Sequence, residues 1–390
     1  MIPELRKKFN SEFNEETYQK FVHELNSTLR YPAGFRIAET PLFLSKEFQS
    51  ELITACDPLL KQIRTDDFKK KSQNALPANL SLPNEDDHPQ FLQIDFAICK
   101  DNGSFIPQLI ELQGFPTVYG YQCYLSRLTK KYFNIDNELT PYFNSFDEES
   151  YIQNLKDIII GDCDTENVVL LEIQPEKQKT RIDFAATEKL LGVSEVCITD
   201  VVQEGRKLYY KKNGKLVPID RVYNRVIFDE LERDNIEYNF NFNDDLILKW
   251  IPHPNWFFKI SKYSLPMLRS KYVPDCFFLN ELKDYPDDLQ NYVLKPLFSF
   301  AGHGVEIDLT KKKLNEIDDP ENYILQKKIE YAPLIETPDE QSKVEIRLMF
   351  LWDKEPLLVN NLVRLSKGKM MGVDYNKNKT WVGSSLALHY

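Results

Sequence analysis

Residues Asn291 to Leu309 read NYVLKPLFSFAGHGVEIDL. The apolar run Tyr292 to Leu294 predicts a strand that delivers Lys295 and Pro296, and a second strand is predicted to begin at Val305. Between them lies a loop with Ser299, Ala301, Gly302 and Gly304. Small residues let backbone N–H groups approach phosphate oxygens closely, and a lysine on the preceding strand adds a point charge. The loop joins strand to strand, so it is not the strand-to-helix phosphate loop of Walker or Rossmann sites. An ordinary glycine-containing hairpin turn can carry a lone G-x-G. Lys-Pro followed by S-x-A-G-x-G-V is the stronger signal.

Basic residues flank this segment on both sides. Upstream, Lys259 and Lys262 stand ahead of a predicted helix and a Val-Pro turn. Downstream, NYILQKKIEYAPL is a strand pattern ending in Gln326, Lys327 and Lys328. KVEIRLMFLW then places Glu345 and Arg347 on one strand face, because side chains alternate with a period of two. LLVNNLVRLSKG adds Asn360, Asn361 and Arg364. Buried charges on strands are costly unless paired, so several inside apolar runs point to a ligand. For any single one, a salt bridge explains it equally well.

The same device occurs far upstream. LIELQGFP (Leu109–Pro116) puts Glu111 and Gln113 on one face of an apolar run, and LQIDFAI holds Asp95 as its only charge. KDNGS between the two runs is a hairpin signal. Three oxygen-bearing side chains on neighbouring strands could form a magnesium site, since magnesium takes oxygen ligands and few of them from protein. A hairpin with one solvated face is the bland alternative.

The bulk numbers set the frame. A chain of 390 residues divides into two or three domains. Hydrophobic residues at 42% and aromatics at 13% fit a packed globular protein. Lys+Arg 49 against Asp+Glu 60 gives −11, a surface that repels nucleic acid and anionic membranes while leaving room for a local basic pocket. No apolar run approaches the roughly 20 residues of a membrane span, and MIPELRKKFN is too polar for a signal peptide, so a cytoplasmic location is expected. The six cysteines show no zinc or redox spacing and read as buried reduced thiols.

Further patterns divide the chain. Residues 14–30, 46–64 and 119–133 read as helices, and 72–90 as a long polar loop. NVVLLEI, a helix closed by Gly192, and EVCITD form a β-α-β succession, the sign of a small parallel-sheet domain. Asn213-Gly214 marks a further hairpin.

Taken together these residues resemble the ATP-grasp enzymes. Lys262 before LPML, Lys295-Pro296 with the SFAGHGV loop, the hinge LQKKI and the E-x-R at Glu345/Arg347 occur in that superfamily's order. Its magnesium-binding Asp and E-x-N follow downstream in most members, whereas here Asp95 and Glu111-Leu112-Gln113 come first. The order is similar to that of the circularly permuted glutathionylspermidine synthetase-like and eukaryotic glutathione synthetase branches. Gln113 stands where those branches usually carry Asn, and Gln93 where the former carries an Arg.

The resemblance implies a mixed α+β and α/β architecture: a permuted ATP-grasp fold, two α+β subdomains clasping the nucleotide, and a small Rossmann-like pre-ATP-grasp domain. The expected division is 1–150 with the permuted magnesium-binding strands, 151–250 for the small α/β domain, and 251–390 for the nucleotide-binding part. By the same resemblance, Lys262 and Lys295 neutralise the α- and β-phosphates of ATP while the 299–304 loop covers them. Gln326, Lys327 and Ile329 form the adenine hinge, and Asp95, Glu111 and Gln113 hold Mg²⁺. Arg347 and Arg364 stabilise the transferred phosphoryl group. The implied reaction joins a small-molecule carboxylate to an amine through an acyl phosphate. A kinase of the same fold, or a nucleotide binder without turnover, stays open; Gln93 and Gln113 are the features that favour the binder. RVYNRV (221–226) either lines the acceptor site or is a surface strand with two arginines.

Overall fold

The computed structural model describes residues 1–298 and 304–390. The chain opens with three helices, α1 (Pro3–Glu12), α2 (Glu15–Thr28) and α3 (Lys46–Ile63). The Asn14 side chain accepts from the Thr17 amide and that of Ser45 from the Phe48 amide, satisfying N-terminal amides that have no partner inside the helix. On α3, Phe48, Leu52, Ala55, Cys56, Leu59 and Ile63 recur at helical spacing and are all buried. Each large apolar side chain so buried contributes about 1.5–3 kcal/mol.

Strands β1 (Phe91–Asp101) and β2 (Ser104–Gln113) follow, an antiparallel hairpin turning at Asn102-Gly103, with a bulge where Asp95 pairs Glu111 but Phe96 pairs Leu109. Helix α4 (Tyr119–Tyr132) comes next. Then β3 (Val168–Glu172), helix α5 (Arg181–Leu191), β4 (Ser194–Cys197), β5 (Arg221–Asn224) and β6 (Lys249–Ile251) build an all-parallel sheet in the order β6-β5-β3-β4. Its central strand β3 is buried throughout, as parallel strands covered on both faces are. A three-stranded antiparallel sheet spans Val202–Glu204, Lys207–Lys212 and Lys215–Ile219 and turns at Asn213-Gly214.

A second three-stranded antiparallel sheet is formed by β7 (Cys276–Phe278), β8 (Tyr292–Pro296) and β9 (Tyr323–Lys327), with β9 in the middle. The strand expected from Val305 is shorter than the pattern implied. Only Glu306 pairs, exchanging both backbone bonds with Leu294, before the chain turns into the short helix Lys311–Asn315.

The C-terminal strands β10 (Ser342–Trp352), β11 (Pro356–Ser366) and β12 (Gly383–Ser385) join the early hairpin in one six-stranded sheet, ordered β12-β11-β10-β1-β2, with Pro333–Ile335 pairing β10 off this path. One face is mainly apolar: Ile94, Phe96, Ile98, Val344, Ile346, Leu348, Val363 and Leu365 share a core with α3. The other face divides in two. Met349, Leu351 and Leu362 pack into a core with α4 and α5, while the rest of that face carries most of the charged and amide side chains of these strands.

Candidate functional site

Strand register assembles the charged half-face. Arg347 lies opposite Asp95, which lies opposite Glu111; Gln93 lies opposite Gln113, and Glu345 opposite Arg364. Residues two apart on a strand share a face, so these seven side chains meet on one side of four neighbouring strands.

The bonds follow that placement. Arg347 Nε and Nη2 donate to the two carboxylate oxygens of Asp95 at 2.6 and 2.7 Å, a bidentate pair, and its Nη1 donates to Gln93 Oε1 at 3.1 Å. Arg364 Nη2 donates to Asp95 Oδ2 at 3.0 Å and also to Glu345 Oε1. The second oxygen of Glu345 accepts from the Tyr331 hydroxyl at 3.0 Å. Asp95 is fully buried and Glu345 nearly so. Gln113 Nε2 donates to Glu111 Oε1 at 2.6 Å, and Lys262 Nζ stands 3.9 Å from Glu111 Oε2. Arg347 Nη2 is 4.0 Å from Glu111 Oε1.

The electrostatics are those of a cation-rich pocket. Burial acts to raise the Glu111 carboxyl, but Lys262, Arg347, Arg364 and Lys295 outweigh it and hold its pKa below the ordinary range. Burial lowers the Lys295 ammonium, with Glu111 opposing and Lys262 adding to the shift. Burial also raises Glu345, against the pull of Arg364. Lys262, Lys295, Arg347 and Arg364 face Asp95, Glu111 and Glu345, and Asp229 is a further carboxylate within electrostatic reach of Lys262.

The approach to this cluster is a narrow cleft lined by Glu111, Gln113, Phe115, Phe257, Lys262 and Phe298. Lys262 is set by a single 3₁₀ helix, Lys262–Met267, whose Ser261 and Ser264 form a reciprocal cap. This replaces the predicted helix, because Pro266 stops a longer run. Gly114 lies so close to the next wall that a Cβ there would come within 2.7 Å of the Trp256 carbonyl.

Lys295 sits on β8, as the strand pattern implied. Ser299, Ala301 and Gly302 lie outside the described residues. Gly304 has φ +70°, a left-handed conformation, and a Cβ there would meet Pro296 Cγ at 2.7 Å. At the expected hinge, the Gln326 side chain is buried and donates to the Leu109 carbonyl at 3.4 Å. The Lys327 amide donates to the Asp275 carbonyl at 2.8 Å and the Lys328 amide to Asn291 at 2.7 Å. The Lys327 amide is therefore spent inside the sheet, which leaves the Ile329 amide without a backbone acceptor among the described residues.

Other candidates are placed elsewhere. Lys259 is buried in an ion pair with Glu85 and over the Trp256 ring, pinning the 72–90 loop. Asn361 bonds Pro141 and Ala387 and is structural. RVYNRV is not a surface strand: Arg221 bonds the Ile158 and Ile159 carbonyls, and Arg225 is buried. Arg225 donates to the Pro116 carbonyl and lies 3.5 Å from Asp183, whose oxygens accept from the Val118 and Tyr121 amides. These two residues of the parallel-sheet region thus fasten the GFPTV segment that leaves Gln113. Arg225 lies in the RVYNRV stretch raised above, whereas Asp183 and Tyr331 went unnoticed in the sequence; an Asp inside a helix pattern and a Tyr just after the hinge were the faint signals.

The donor set decides how magnesium could be held. Among the described residues no group of three or more His, Cys, Asp or Glu side chains is arranged for a metal ion. Both oxygens of Asp95 are bonded to guanidinium groups. Glu111 and Gln113 are hard oxygen donors side by side, and magnesium is commonly held by one or two carboxylates plus substrate phosphates. These two fit an ion that arrives with a polyphosphate.

No helix among the described residues is long and apolar enough to cross a membrane. The sequence matches no protein-family model and no curated protein. Among solved structures, the chain is similar to a glutathione synthetase-like effector from Globodera pallida in its apo form, with 10% identity, a TM-score of 0.59, and coverage of 100% of this chain and 98% of that one. At that identity the likeness concerns the fold, and the mixed α/β architecture described above is shared over the whole chain with a glutathione synthetase-like protein.

Proposed function

We propose that this chain is an ATP-grasp carboxylate–amine ligase, in which ATP activates a small-molecule carboxylate as an acyl phosphate and an amine captures it as an amide. The observation that carries the reading is the cluster of Lys262, Lys295, Arg347 and Arg364 gathered on one side of a sheet beside a cleft. A scaffold gains little from such a cluster, since buried ion pairs roughly offset their own desolvation. A polyphosphate gives it a purpose.

In this reading Lys262 and Lys295 neutralise the nucleotide phosphates, with Gly304 closing the loop over them. Arg347 and Arg364, fixed in orientation by Asp95 and Glu345, face the phosphoryl group in transfer. Such chemistry needs positioning and charge neutralisation more than covalent participation by the protein. Glu111 and Gln113 would hold Mg²⁺, which supplies charge neutralisation and orientation of the phosphates. Gln326 and the Ile329 amide would serve as the adenine hinge, and the RVYNRV stretch with Arg225 would line the acceptor side.

A second reading, a nucleotide binder without turnover, is favoured by one observation: Arg347 reaches Gln93, an uncharged residue, across β1. ADP release measured over a panel of carboxylates, with and without amines, separates the cases. A ligase releases ADP in step with amide formation. A kinase of the same fold needs no amine, and ATP binding without ADP release under any pairing overturns the ligase reading.

A further inference from the structure

We propose that Asp95 is a positioning residue for Arg347 and Arg364 and not a metal ligand, so that a divalent cation enters this chain through Glu111 and Gln113 only in company with a polyphosphate. The inference rests on the nucleotide reading above and adds to it the order in which the site fills.

The geometry leaves Asp95 no free oxygen of the kind a cation needs. Arg347 takes one oxygen at 2.6 Å and the other at 2.7 Å, and Arg364 shares the latter at 3.0 Å. The pairing is built into the backbone: β10 holds Arg347 directly opposite Asp95, and β11 holds Arg364 opposite Glu345. A divalent ion at Asp95 would have to displace a bidentate guanidinium in a fully buried position and leave two arginines uncompensated beside it. The bulge between Asp95 and Phe96 acts in the same direction. It leaves Ile110 of β2 unpaired between Leu109 and Glu111, and a bulge re-aims the strand that carries it. Glu111 lines the cleft with Lys262, while Asp95 lies buried under the arginines.

Glu111 and Gln113 alone are a poor resident site. One carboxylate and one amide face Lys262 and Arg347 at about 4 Å, and two nearby positive charges repel a bare dication. A bound triphosphate reverses the sign of the pocket and supplies the missing oxygen ligands.

The experiment uses Mn²⁺ as the probe, read by electron paramagnetic resonance, on the full chain alone and with a non-hydrolysable ATP analogue. The wild-type protein alone is expected to retain no Mn²⁺ at micromolar concentration, and to retain it when the analogue is present. Asp95→Asn should leave the analogue-dependent Mn²⁺ affinity within about 2-fold, while Glu111→Gln weakens it at least ~10-fold. Analogue affinity should fall in Asp95→Asn and in Arg347→Gln, and the loss in the double variant should be less than the sum of the two, because Asp95 acts in part through Arg347 and otherwise through Arg364. A merely structural Asp95 would give additive losses. Micromolar Mn²⁺ binding to the protein alone, lost in Asp95→Asn, overturns the proposal while leaving nucleotide binding intact. Failure of the analogue to bind sinks the nucleotide reading itself, and analogue binding without Mn²⁺ retention sinks the filling order. The wild-type measurements decide the metal question even where Asp95→Asn does not fold.

Discussion

Replacing Glu111 by Gln should change nucleotide affinity in opposite directions depending on whether a divalent ion is present. Glu111 Oε2 lies 3.9 Å from Lys262 and Oε1 4.0 Å from Arg347. At such spacing a unit-charge pair is worth about 4 kcal/mol at an effective dielectric of about 20. A phosphate drawn to the same two cations sits roughly 5–6 Å from the Glu111 carboxylate and meets about 3 kcal/mol of repulsion on that scale. Screening and side-chain relaxation reduce this to about 1–1.5 kcal/mol, or ~10-fold. With a chelator present, Glu111→Gln should therefore bind the ATP analogue ~10-fold more tightly than the parent. With Mg²⁺ the variant has lost its one carboxylate ligand and should bind it at least ~10-fold more weakly. Because the surrounding cations hold the Glu111 carboxyl below its ordinary range, the carboxylate is ionised across pH 5–8 and the effect should persist over that window. Isothermal titration calorimetry on folded protein reads both arms. A loss of equal size in both would mean that Glu111 supports the fold, and no change in either would remove it from the site.

Lys295→Ala should lower analogue affinity ~10-fold or more, since a charge-assisted contact contributes about 1.5–3 kcal/mol; calorimetry giving the parent value would reduce the β8 loop to a hairpin turn. Gly304→Ala should cost about 1–2 kcal/mol in urea denaturation, because φ +70° disfavours a Cβ and the methyl meets Pro296; a neutral result would contradict the strain. Glu172 titrates in a different way. Burial pushes its carboxyl up to about 8, with Arg225 opposing, so the folded state holds a proton that the unfolded state releases near pH 4.5. The stability it supports is complete below pH 4.5 and is lost as pH rises towards 8; Glu172→Gln should flatten that slope and be relatively more stable at pH 8, by up to a few kcal/mol. Identical pH–stability curves for parent and variant would refute the assignment.

Much of this site could be read one strand at a time. The alternation in KVEIRLMFLW puts Glu345 and Arg347 together, and LIELQ does the same for Glu111 and Gln113, because a period of two is a local property. KDNGS and Asn213-Gly214 turn where their letters require. Register between distant strands is not local. Nothing in either segment says that Arg347 falls opposite Asp95 rather than one pair along, and a shift of one residue would put it in the apolar core. The commitment of Asp95 to two arginines was hidden for that reason, as was the loss of the Lys327 amide to Asp275. The tie from Arg225 and Asp183 to the GFPTV segment depends on how the parallel sheet packs on α4, and packing between separate elements leaves only a faint compositional trace.

The balance of charge explains why such a face can exist in a folded protein without a ligand. Each strand contributes one or two charges, and every carboxylate finds a cation on a neighbouring strand: Asp95 with Arg347 and Arg364, Glu345 with Arg364, Glu111 with Lys262. The apolar opposite face, packed on α3, keeps these strands in register, so the partners meet without separate anchoring. Among the described residues, however, Lys295 has no carboxylate within ion-pair distance; burial depresses its pKa, with Glu111 the main counterweight. A buried ammonium is unfavourable by itself and is relieved by any anion that enters beside it. Phosphate has the matching charge and presents oxygens in several directions, one to Lys295 and Lys262 and others to the guanidinium edges. In the proposed ligase reading a polyphosphate is therefore the first occupant, and the acid to be activated would enter after the nucleotide has reversed the charge of the pocket.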